Sequence, residues 1–143
     1  MSRRYFVFST QHRDSQPVWT CLAAATVVGA ALLAVFGVPT VDLHGPLHYL
    51  GVMDPLCGGT RSVYLTLHGQ LGEAVRYNPA GPLVLAAAAV LLARAAAGCL
   101  FGRWLSIRIA PRILLPVALV ALVALEVNQQ MHAVLLTQSW SAP

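Results

Sequence analysis

The chain has 143 residues, of which 57% are hydrophobic and 10% charged, with a mean hydropathy of +0.68. An ordinary soluble domain carries about 25% charged residues, so this composition excludes a water-coated globule and points to lipid as the solvent. The net charge of +4 comes from arginine alone, as the chain has no lysine. The arginines sit at the ends of apolar runs rather than on one face, which argues for membrane orientation and against nucleic-acid binding.

In chain order, a tail over residues 1–17 carries Arg3, Arg4 and Arg13. The first apolar run, 18–38, has no charge and is long enough for a core that takes about 20 residues. It exceeds the roughly 7–15 residues of a signal-peptide core and no small-residue cleavage site follows, so the expectation is an uncleaved first span. A loop over 39–78 comes next. The second run, 79–101, starts well, with Asn78 as helix cap and Pro79 at the first helical position. Arg94 lies near its far end, where its side chain is expected to snorkel to the headgroups. A link over 102–112 carries Arg103, Arg108 and Arg112. The third run covers 113–136, with Pro116 in its first turn, and a tail over 137–143 ends the chain.

The expected fold is therefore an all-α integral membrane protein, three transmembrane helices with a short-helix cap between spans 1 and 2. The positive-inside rule puts the N-terminus and the 102–112 link in the cytoplasm, and the 39–78 cap and the C-terminus outside. Trp19, Tyr49, Tyr77, Trp104 and Trp140 flank the runs as interfacial aromatics do.

The cap holds the densest polar cluster, "DPLCGGTR" at 54–61. Asp54 before Pro55 reads as a helix start, "TRSVYLTL" as a short helix stopped by His68 and Gly69, and "QLGEAVRY" as a second one leading to Asn78. Cys21 and Cys99 fall inside apolar runs as small buried hydrophobes, whereas Cys57 keeps polar company.

The stretch 54–81, "DPLCGGTRSVYLTLHGQLGEAVRYNPAG", resembles the signature of the domain of unknown function 2752, found in small bacterial membrane proteins. Pro55, Cys57, Gly58, Thr60 and Arg61 fall on the pattern, as do Gly69, Ala74, Asn78, Pro79 and Gly81. The resemblance implies a bacterial plasma-membrane protein and names no biochemical activity. Where the family pattern has a first cysteine, this chain has Asp54. A single thiol rules out an intramolecular disulfide cycle within the motif. A mixed zinc site stays open, with ligands drawn from Asp54, Cys57, His68 and His44 or His48, because carboxylate, thiolate and imidazole all bind that metal.

Each of these residues also has a plainer role. Asp54 suits a helix cap, Cys57 a packed side chain, and Gly58 with Gly59 a tight turn. His44 and His48 are four apart, but Gly45 and Pro46 weaken a helix between them. Alternatively, backbone N–H groups at the helix start, with Arg61, form an anion nest for a phosphate or carboxylate.

On the third run, Glu126 lies roughly 20 Å into a core of about 30 Å, where a lone carboxylate is costly. The expectation is that this end packs beneath the cap and that Glu126 pairs with Arg61 or Arg76.

Three function classes follow. The first is an accessory or assembly protein that docks on a larger membrane complex, with a membrane-protein partner or a second copy of itself. The second is a metal-, anion- or lipid-headgroup-binding protein that uses the 54–61 motif. The third, an outer-leaflet enzyme with a Cys57–His68 pair, has the least support, for no catalytic motif is present.

Overall fold

The computed structural model describes residues 6–39, 51–138 and 140. Its elements run β1 (Phe6–Gln11), α1 (Pro17–Phe36), α2 (Gly59–Leu67), α3 (Leu71–Tyr77), α4 (Ala80–Phe101), β2 (Trp104–Ile109), α5 (Pro111–Met131) and α6 (Ala133–Thr137). Three of them, α1, α4 and α5, are long and apolar enough to cross a membrane. The three-span expectation holds, and the short helices α2 and α3 lie between the first two spans. With 20, 22 and 21 residues, each span reaches the roughly 30 Å of a hydrocarbon core.

The helix ends follow local chemistry. Pro17 and Pro111 stand in the first turns of α1 and α5, where a missing N–H costs nothing. Gly102 closes α4 in the left-handed region, at φ +64. Because α5 starts earlier than the sequence suggests, Pro116 falls in its second turn and omits one helical hydrogen bond. At the other end, His132 closes α5 and the chain bends into the short α6 instead of continuing as one helix.

Lipid gives spans no hydrophobic reason to associate, so they meet where small residues let backbones approach. On α4 the buried positions are Gly81, Ala88, Ala95 and Gly98, the first three spaced by seven. On α1 they are Ala23 and Ala30, also seven apart. α1 packs on α4, with Ala23 and Ala30 buried on α1 and Ala88 and Ala95 on α4. By contrast α5 stands off. Along most of its length its side chains are exposed, Leu115 and Val120 each at 68%. Between α4 and α5 runs a groove of about 500 Å³, walled by Leu83, Val84, Ala87, Ala121, Ala124 and Leu125, with Asn128 at the cap end.

No strand was expected, yet β1 and β2 pair antiparallel, with Phe8 opposite Ile107, Ser9 opposite Ser106 and Gln11 opposite Trp104. Arg94, expected to snorkel outward, instead fastens this ribbon. Its guanidinium pairs with the Asp14 carboxylate at 2.9 Å, the two side chains being 8% and 15% exposed. Its Nε donates to the Leu105 carbonyl, and its charge lies over the Trp104 ring at 5.6 Å. An acidic partner inside the fold outcompetes the headgroups because both ends of the pair are already shielded from water. Burial alone would raise the Asp14 pKa. Hydrogen bonds from Thr20, Arg94 and the Gln16 N–H, with the Arg94 charge, outweigh it and hold the carboxyl below its usual range.

Candidate functional site

The polar cluster at 54–61 sits at the opposite end from the ribbon. Its first residue caps a turn and not a helix. Asp54 Oδ1 accepts the Leu56 N–H at 2.8 Å, and the Asp54 carbonyl accepts the Cys57 N–H at 3.0 Å. Gly58 adopts φ +72, and α2 opens at Gly59, one residue before the helix expected from Thr60. Gly58 has no alternative. A Cβ there would stand 2.6 Å from Leu136 Cδ2 and 2.8 Å from the Tyr77 carbonyl oxygen.

Cys57 is buried with Met53 and Leu136 in a small core, against which Tyr77 and Ala133 pack. Its thiol donates to Asp54 Oδ2 at 3.4 Å. Burial pushes the thiol pKa up to about 11, and the nearby charges of Asp54 and Glu126 add to the rise. At neutral pH Cys57 is therefore a protonated, packed side chain.

Asn78 ties the turn to the spans. Buried at 1% exposure, it donates from Nδ2 to the carbonyls of Pro55 and Cys57, both at 3.0 Å. Its Oδ1 accepts the Ala80 N–H at 2.9 Å, so it serves the start of α4 as expected, with Pro79 now at the cap position. Its carbonyl accepts the Ser62 hydroxyl at 2.6 Å. Ser62 in turn faces Gly81, where an added Cβ would stand 2.2 Å from Ser62 Oγ and 2.8 Å from Ser62 Cβ. The motif's cysteine, asparagine and glycines thus act together as a clasp that binds turn, α2 and α4. Ser62 belongs to it and was missed in the sequence, where a serine in a short helix carries no signal of its own.

The third span joins the clasp through Gln130, on the polar end of α5. Gln130 Oε1 accepts the Met53 N–H and Gln130 Nε2 donates to the Gly51 carbonyl, each at 3.1 Å. That end of α5 does pack beneath the cap, but neither expected arginine pairs with Glu126. Arg76 bonds Glu73 at 2.9 Å on the exposed side of α3. Arg61 Nη1 donates to the Leu136 carbonyl at 3.3 Å, with its charge over Tyr77 and Trp140 at 5.8 and 5.5 Å. Two aromatic faces and a carbonyl satisfy that guanidinium without a carboxylate. They also occupy the group that an anion nest needs.

The expected metal set is not assembled. His68 lies at the far end of α2, exposed, with Nδ1 against the Tyr64 carbonyl at 2.8 Å and its ring stacked on Tyr64. This also parts it from Cys57, so the nucleophile–base pair does not form. Among the described residues no group of three or more His, Cys, Asp and Glu side chains converges. His44 and His48 lie outside the described residues. Thr60 is half-buried on the first turn of α2.

Residues 46–92 match the model of a family described as Protein of unknown function (DUF2752). Comparison with curated proteins and with solved structures gives no match. The matched segment contains the clasp residues from Met53 to Gly81 and includes neither strand of the ribbon nor α5.

Proposed function

The chain belongs to the DUF2752 family, and from that premise we propose that it is a small accessory or assembly protein docking on a larger membrane complex. The reading rests on the unfilled flank between α4 and α5. There an apolar groove of about 500 Å³ runs up to a stretch of α5 whose polar groups lack partners. Asn128 Nδ2 and both amide atoms of fully buried Gln129 have no hydrogen-bond partner. A buried amide left unpaired costs roughly 1–3 kcal/mol. A helix of another chain, offering small or branched side chains, would fill the groove, with Asn128 lining its cap end.

The metal- or anion-binding reading has less support, since Cys57 is protonated and Arg61 is engaged within the fold. The membrane we assign is the bacterial plasma membrane, with the arginine-rich ribbon end and the N-terminus inside. The clasp and C-terminus then face outward, as an odd number of spans requires.

The test is native mass spectrometry on protein gently extracted from its own membrane at natural abundance, together with a photo-crosslinker at Ala124. The expected result is one membrane-protein partner that both co-purifies and cross-links from Ala124. Cross-linking only to a second copy would replace the partner by a homo-oligomer. A bare chain carrying stoichiometric metal would overturn the accessory reading in favour of ligand binding.

A further inference from the structure

The ribbon points to a contact that the docking reading does not involve. Directly opposite residues of an antiparallel pair share a face, so Phe8 with Ile107, and Thr10 with Leu105, lie on one side. Phe8 is 65% exposed, Leu105 42%, Ile107 38% and Ile109 41%. The other side holds Ser9 and Ser106, the latter fully buried, with exposed Val7 and Arg108 at its outer end. Trp104, on that same side, lies over Gly98, where a Cβ would stand 2.4 Å from the indole ring. The ribbon is therefore inside out by the standard of water-soluble sheets, which turn the apolar face inward and leave serines in solvent.

Its depth is set by what it touches. After Gly102 the chain doubles back along α4. Trp104 meets Gly98, and the Leu105 carbonyl receives Arg94, about two turns before the helix ends. Gln16, beside the start of α1, donates to the Ile107 carbonyl at 2.8 Å. The apolar face is thus level with the ends of the spans and continuous with their lipid-facing flank, where Leu100 and Val18 are 78% and 67% exposed. Around it Arg13 and Arg103 are exposed, Arg108 is exposed on the other side of the ribbon at its edge, and the neighbouring acid, Asp14, is taken by Arg94. An apolar face with a basic rim at that depth matches an anionic leaflet surface. The open edges of the two strands need polar partners, which headgroups and water supply and hydrocarbon does not.

We propose that the outer face of the β1–β2 ribbon beds in the headgroup–acyl boundary, with Arg13, Arg103 and Arg108 engaging the phosphates of anionic lipids. The test places a nitroxide at Phe8→Cys or Ile107→Cys in the full chain, with Cys21 and Cys99 changed to Ser. Vesicles are phosphatidylcholine alone, or the same lipid with one part in three phosphatidylglycerol. Both labelled positions are exposed, so the label displaces no core residue, and an unchanged melting temperature checks this.

The expected result is that collisions with oxygen exceed those with a water-soluble nickel chelate several-fold at both positions, and more so with phosphatidylglycerol. Changing Arg103 and Arg108 to Gln should remove that dependence on lipid charge. Frequent nickel collisions would put the face in water and overturn the proposal. Protection from both reagents would mean protein cover, with the same consequence. Equal depth in the two vesicle types would overturn the role of the arginines.

Discussion

If Asn78 is the tie of the clasp, its removal is costly in a way that its size does not suggest. Asn78→Ala deletes three hydrogen bonds, two from Nδ2 to the Pro55 and Cys57 carbonyls and one from the Ala80 N–H to Oδ1. Each is worth a net ~1 kcal/mol, so the loss comes to about 3 kcal/mol before any cost of leaving those carbonyls in a buried site. For a chain of this size that corresponds to a fall in Tm of roughly 6–12 °C, read by tryptophan fluorescence in mild detergent. Asn78→Asp sharpens the test. It keeps the acceptor for Ala80 but turns a carboxylate oxygen toward two carbonyls. Because only the protonated form can donate there, folding raises that carboxyl's pKa, and stability is present in acid and lost as pH rises. The expected order at neutral pH is therefore native, then both variants well below, with only Asn78→Asp recovering on acidification. An Asn78→Ala protein melting within 2 °C of native, where about 3 kcal/mol is expected, would refute the clasp.

Four further outcomes follow from the same contacts. Gly81→Ala drives a methyl into Ser62 and should cost about 1–3 kcal/mol, and Ser62→Ala in the same chain should restore part of it, as a double-mutant cycle would show. The Cys57 thiol, raised to about 11, should resist a membrane-impermeant maleimide at pH 7 and react once the protein is unfolded. Since its folded pKa lies above the unfolded value, it contributes stability that is full below about 9 and lost as pH rises toward 11; Cys57→Ala should flatten that alkaline decline. The Asp14 pKa is lowered in the fold, so its contribution is present above the unfolded carboxylate range and lost as pH falls through the folded value. Arg94→Gln should weaken that acid dependence, leaving the part held by Thr20 and the Gln16 N–H, and cost about 2–4 kcal/mol, as breaking a shielded ion pair does.

The three spans were legible because uninterrupted apolar length is a property of each segment by itself. The start of α4 was legible for a similar reason, since Asn78, Pro79 and their neighbours signal it locally. The motif was visible as a pattern, but its meaning was not. Nothing local says that the Asn78 amide reaches back to Pro55 and Cys57, or that Gly81 is glycine because of Ser62. The ribbon had a local trace, in the alternation of "FVFSTQ" and "WLSIRI". Its pairing joins strands at opposite ends of two spans, and no spacing rule relates them. Arg94 misled for the same reason. Snorkelling is the default for an arginine near a helix end, and only the fold shows Asp14 waiting within reach.

Each cluster at the two ends of the molecule is completed by a segment made much later. The ribbon's first strand ends at Gln11 but its mate begins at Trp104, so the earliest residues synthesised stay unmatched until two spans have been inserted. At the other end, Met53 and Cys57 are sealed only when Leu136 comes out, after the third span has crossed. An insertion apparatus or chaperone therefore meets a half-finished protein with an open β-edge on one side of the membrane and an open apolar socket on the other. The β-edge closes once β2 emerges, whereas the apolar socket stays open until the last helix arrives.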